Sequence, residues 1–181
     1  MGMKRPLLLA AVSIFVGDLA AAESPNAPIA CYRDATDREL SSTSAVHLCM
    51  GSRSQAPAAC FAQAVDNARI SEGGAVRLCR GAASQAPATC VERLVNGSDL
   101  DERAIVSYCA AAEVLAPASM DSDPKCLEAA HRADLSETEA PRLCRGSIGT
   151  AAVACFLAGK DQTDLSNDEL MDLCAPLVPA Y

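Results

Sequence analysis

Apolar residues in this chain recur at helical rather than strand spacing, and they do so in short blocks. Phe61 and Ala64, Val91 and Leu94, and Leu127 and Ala130 are three apart, which places each couple on one helical face. A second kind of block opens on an apolar residue followed by a cap: Leu40-Ser41, Ile70-Ser71, Leu100-Asp101, Leu135-Ser136 and Leu165-Ser166. Ser and Asp are strong helix starters because a side-chain oxygen accepts a bond from a free backbone N–H of the first turn. Ser136 with Glu139 and Ser166 with Glu169 have the spacing of capping boxes, and Leu165 with Leu170 that of a hydrophobic staple. The pattern predicts an all-α fold of paired short helices. Pro57 and Pro87 suit a first helical position, and Asp123-Pro124 repeats the device. Pro141 falls inside an expected helix and should remove one backbone bond there.

The blocks belong to a repeat. Leu78 to Cys90 reads LCRGAASQAPATC, Leu48 to Cys60 reads LCMGSRSQAPAAC, and Leu143 to Cys155 reads LCRGSIGTAAVAC. The period is about 30 residues, the range of stacked helical units. Gly51, Gly81 and Gly146 stand where a helix stop is needed.

Ten cysteines follow the same period in two alternating sets. Cys31, Cys60, Cys90, Cys126 and Cys155 each precede a partner candidate, Cys49, Cys79, Cys109, Cys144 and Cys174, by 18 or 19 residues. From each partner candidate to the next unit the step is 11 residues, except for one of 17 near Met120 to Pro124. The insertion therefore lies between units, and the spacing within units is nearly invariant. Pairing within units also uses every cysteine. It predicts Cys31–Cys49, Cys60–Cys79, Cys90–Cys109, Cys126–Cys144 and Cys155–Cys174. A helical hairpin closed by a short turn such as Asn96-Gly97-Ser98 brings both cysteines of a unit to one end, within bonding reach. The expected architecture is a tandem, solenoid-like array of five such hairpins, with units at about 31–50, 60–80, 90–110, 126–145 and 155–175. In these features it resembles the exported, cysteine-rich Sel1-like proteins of bacteria, arrays of disulfide-closed helical hairpins with longer units and closer cysteine pairs. That resemblance carries across no residue and no activity.

Composition explains why the staples are needed. Half of the 181 residues are hydrophobic, but many are alanine, Trp is absent and aromatics are 3%. Small side chains remove little area from water, at about 25 cal/mol per Å². The N-terminus reads as a secretory signal over residues 1–22: Lys4-Arg5, an apolar run from Leu7 to Val16, and Ala20-Ala21-Ala22. Residues 23–30 are expected to be a short disordered lead, followed by one domain over 31–181. An oxidising, periplasmic or extracellular compartment fits the cysteine usage. Without the signal the chain holds 13 basic and 22 acidic residues, a formal charge of −9. Such a surface disfavours a nucleic-acid partner, and no span long enough for a bilayer follows.

Candidate chemistry is sparse. No Cys-X-X-Cys pair, Gly-x-Ser-x-Gly elbow or calcium-loop order occurs. Glu128 and His131 have ligand spacing on one helical face but form a single copy of a motif that di-iron bundles use twice. His47 stands at a position occupied by Arg77, Ser107, Arg142 and Asp172 in other units, which predicts exposure. No catalytic, cofactor or metal residue is assigned. The candidate partner surface consists of Arg53, Arg77, Arg80, Arg142 and Arg145, with the loops at Ser84, Glu113 to Met120 and Ile148. The basic residues near helix ends also complement the helix dipole. The expected function is an exported, non-enzymatic scaffold for a protein or peptide. An envelope-acting enzyme or inhibitor with a cleft on the array, and a thiol-based metal binder, are the alternatives.

Overall fold

A computed structural model describes residues 24–68, 70–97, 100–110 and 123–176. Ten α-helices are present and no β-strand occurs among the described residues. In chain order they are α1 (Ala27–Asp37), α2 (Ser42–Cys49), α3 (Ala56–Ala68), α4 (Glu72–Cys79) and α5 (Ala86–Gly97), then α6 (Glu102–Cys109), α7 (Pro124–Arg132), α8 (Glu139–Cys144), α9 (Ala151–Gln162) and α10 (Asn167–Cys174). The signal-like segment and most of the 17-residue step lie outside the described residues.

The helix starts follow the local chemistry. Ser41, Ser71, Asp101 and Ser166 each cap a helix by accepting a backbone N–H three residues on. Ser166 and Glu169 complete a capping box. Ser136 and Glu139 make the same reciprocal bonds, at 3.3 and 2.9 Å, yet α8 begins only at Glu139. Pro141 is the reason: it has no N–H for the carbonyl of Glu137, so the first turn is broken and α8 is left at six residues. Pro57 and Pro87 stand second rather than first in α3 and α5. An N–H at that position has no helical acceptor either, so its loss is harmless.

The disordered lead expected over 23–30 is corrected by α1, which starts at Ala27 and buries Ala27, Pro28 and Ile29. The signal was in the sequence. Pro28 precedes Cys31 by three residues, as Pro57 precedes Cys60 and Pro87 precedes Cys90.

All five disulfides join the expected cysteines, Cys31–Cys49, Cys60–Cys79, Cys90–Cys109, Cys126–Cys144 and Cys155–Cys174, with Cα atoms 5.6 to 5.7 Å apart. Each links a residue near the start of one helix to the last residue of the next, so consecutive helices form five closed pairs. Directly after three of these bonds the chain makes a type II turn. In the second pair, Ala82 N–H donates to Cys79 O at 3.0 Å. Arg80 lies at φ −57°, ψ 124° and Gly81 at φ 73°, the geometry that requires glycine at the third position. Gly51 and Gly146 have φ of 60° and 71° in the equivalent turns. These glycines therefore shape a turn beyond the helix rather than ending it. Gly81→Ala is expected to lower stability by about 1 kcal/mol, because a Cβ disfavours left-handed backbone; chemical denaturation measures it.

Within two pairs the turn is closed by a non-glycine residue. Glu39 and Asp134 have φ of 65° and 58°. Leu40 N–H donates to Ala35 O, and Leu135 N–H to Ala130 O, in the Schellman pattern. The buried leucine after each turn holds it in place.

Pairs touch one another in an order that differs from the chain. Helix α3 packs on α1 and α5, and α4 packs on α2 and α6. The fifth pair then returns to the first, with α9 on α1 and α10 on α2, and the fourth lies against the fifth through α7 on α9 and α8 on α10. Among the described elements the third pair meets only the second, and the fourth only the fifth. The return contact is close. A Cβ built on Gly159 of α9 would stand 2.9 Å from Ile29 Cδ1 and nearer still to Leu170 Cδ2. Gly51 N–H also donates to Leu173 O at 3.0 Å, tying the turn after α2 to α10.

Candidate partner-binding surface

The contacts between pairs place the arginines singled out in the sequence. Arg142 of α8 reaches across to α10, donating to Asp168 at 2.8 Å and Asp172 at 2.6 Å. The two carboxylates, Asp172 foremost, raise its pKa further above the ordinary range. Its guanidinium joins the fourth and fifth pairs. Arg77 is exposed at the last turn of α4. Arg80 is exposed and its Nη2 lies 3.2 Å from Met50 Sδ, between the second and first pairs. Arg145 is exposed in the turn after α8. Arg80 and Arg142 thus lie where one pair meets the next.

Arg53 follows α2. It lines a cleft of 210 Å³ built where three pairs converge. Ser24 and Pro28 contribute from the start of α1, and the Gly51-to-Arg53 turn follows α2. The Gly146-to-Ile148 turn comes from the fourth pair, with Cys155 and Cys174 at the floor. Ile148 is 90% exposed at this cleft. Ser147 donates to Cys144 O at 2.7 Å, while its counterpart Ser52 has a buried hydroxyl without a partner. Of the loops named from the sequence, Arg53 and Ile148 share this cleft, Ser84 is exposed elsewhere, and Glu113 to Met120 lies outside the described residues. Sequence reading missed that residues 51–53 and 146–148 meet, since the meeting depends on the fifth pair lying against the first.

Acidic groups are arranged for structure. Glu102 accepts from the hydroxyl and backbone N–H of Ser71, which hold its carboxyl below the ordinary range. Asp123 is lowered by the N–H of Gly149 at 2.7 Å and then by that of Lys125 at 2.8 Å. In Glu139 and Glu169 the cause is the capping serine, first its hydroxyl and then its N–H. Glu102 joins the third pair to the second, Glu139 and Glu169 close helix starts, and Asp123 caps α7 while also accepting from the turn before α9.

His47 and His131 are both exposed. Glu128 pairs with Arg132 one turn along α7. No cluster of three or more metal-ligating side chains occurs among the described residues, and all ten cysteines are in disulfides, so none offers a thiolate. No helix among the described residues is long and apolar enough to cross a membrane.

No family model matches the chain, and neither a curated protein nor a solved structure matches it.

Proposed function

We propose that the chain is an exported, non-enzymatic scaffold that binds a protein or peptide, built as one array of five disulfide-closed helical hairpins in the order fourth, fifth, first, second, third. The return of α9 and α10 onto α1 and α2 carries this reading. It joins two blocks of hairpins into a continuous surface and creates the cleft between Arg53 and Ile148. Arrays of this kind present extended surfaces to partners. The five disulfides support an oxidising compartment, periplasmic or extracellular, since such bonds persist there. Metal binding through thiols is not supported, because a disulfide sulfur is not the thiolate ligand such sites use.

The cleft suits an apolar side chain seated against Ile148 and beside Arg53. A photoreactive residue at position 148 is expected to capture one specific protein from the native extracytoplasmic fraction. Arg53→Glu is expected to reduce that capture at least about tenfold, the effect of losing about 1.4 kcal/mol of binding. Equal labelling of many proteins, unaffected by Arg53→Glu, would defeat the proposal.

A further inference from the structure

Where the first and fifth helix pairs meet, another groove opens that shares no residue with the cleft around Arg53 and Ile148. Its volume is 410 Å³, within the range of about 300 to 1,000 Å³ that small-molecule sites occupy. The second half of α1 contributes Tyr32, Arg33 and Asp37, and the turn between α9 and α10 contributes Asp164. Packing of α1 on α9 and α10 brings these two distant stretches of the chain together.

Most of the charged groups in this groove are not used by the fold. On the same helix Asp34 and Arg38 pair at 3.5 Å. Arg33 and Asp37 have the same spacing in the opposite order, the weaker arrangement along a helix, and they do not pair. Asp164 likewise makes no side-chain bond to the described residues. Glu169 also lines the groove, but it is committed to the start of α10, accepting from the N–H of Ser166 at 2.9 Å and from its hydroxyl at 2.7 Å. Tyr32 adds an independent observation. It is only 9% exposed, and its hydroxyl, the one polar atom of that side chain, has no hydrogen-bond partner among the described residues. A phenol so deeply buried ordinarily finds a partner, and the groove it lines is where one can enter.

We propose that this groove binds a free basic amino acid of the lysine or ornithine type. The unengaged set is one guanidinium and two carboxylates, and a molecule with two ammonium groups and one carboxylate inverts it. Arg33 and the Tyr32 hydroxyl donate to the ligand carboxylate, while Asp37 and Asp164 accept from its ammonium groups. Ligands of a single sign fit less well. An anion meets Asp37 and Asp164, and a simple diamine leaves Arg33 without a counter-charge. A metal ion is not supported, since no group of three or more ligating side chains gathers among the described residues. The formal charge of the whole chain, −8, favours the approach of a cationic molecule.

Isothermal titration calorimetry of the oxidised full chain with L-lysine tests this. One lysine is expected to bind per chain, more weakly as salt is added. Related probes each lack one charged group: norleucine the ε-ammonium, ε-aminocaproate the α-ammonium and cadaverine the carboxylate. Each is expected to bind about fivefold more weakly than lysine, the upper range for a charge pair open to water. Arg33→Gln should abolish the preference for lysine over cadaverine, and Asp37→Asn/Asp164→Asn the preference over norleucine. All three residues are exposed, so these variants are expected to keep the helical circular dichroism of the wild type. Tyr32→Phe should weaken lysine binding while retaining that spectrum. No binding at millimolar lysine would overturn the proposal. So would equal binding of lysine and cadaverine, or a preference between them that survives Arg33→Gln.

Discussion

Reduction of all five disulfides is expected to unfold the protein under conditions in which the oxidised chain is fully helical. The reason lies in the core. Among its buried residues are Ala35, Ala45, Ala58, Ala64, Ala75 and Ala88, each fully covered and each contributing little area. Removing one staple should already be severe. Cys60→Ala/Cys79→Ala opens a bond between fully buried sulfurs that closes a 19-residue separation, which the chain-entropy account values at about 3 kcal/mol. The loss should lower Tm by about 10 °C in a domain of this size. Thermal denaturation followed by circular dichroism measures both effects, and a mass difference of about ten hydrogens on reduction confirms the starting state. A reduced chain that melted cooperatively near the oxidised Tm would show the helical packing to be self-sufficient.

Phe156→Ala is expected to cost about 3 to 5 kcal/mol, the range for emptying an aromatic site in a packed core. Phe156 is the largest fully buried side chain and follows Cys155 directly. Tyr32 and Phe61 stand in the same position of the first and second hairpins and are buried too. In three of the five helix pairs an aromatic residue therefore fills space that alanine-sized neighbours cannot reclaim by shifting, while Val91 and the half-buried Leu127 stand there in the other two. Equilibrium denaturation with the disulfides intact gives the value directly. A loss below about 1 kcal/mol would mean that the surrounding helices close over the gap.

These two outcomes bear on different levels of the structure. Disulfide loss acts mainly on the unfolded chain, by restoring its freedom. Phe156→Ala acts on the folded one, and also tests whether the fifth helix pair is fixed firmly enough to hold the cleft between Arg53 and Ile148. The walls of that cleft come from the fourth and fifth helix pairs and from the first, which lies far from them in the chain.

The residues alone determined the helices, their caps and the sulfur pairing, because each of these depends on groups fewer than about 20 positions apart. Ser41, Ser71 and Asp101 announce helix starts through one short hydrogen bond each, and the invariant 18 or 19 step within units announces the disulfides. Tertiary structure alone decided which helix pair lies beside which. The helix pairs offer their neighbours similar small apolar residues, so local pattern does not distinguish contacts in chain order from those present, in which α9 and α10 meet α1 and α2. The selection comes from shapes that only fit in place: Gly159 admitting Ile29 and Leu170, Arg142 between Asp168 and Asp172, and Pro124 and Pro141 turned outward. For the same reason the arginines read as one surface are dispersed, and Ile148 meets Arg53 across nearly a hundred residues of sequence.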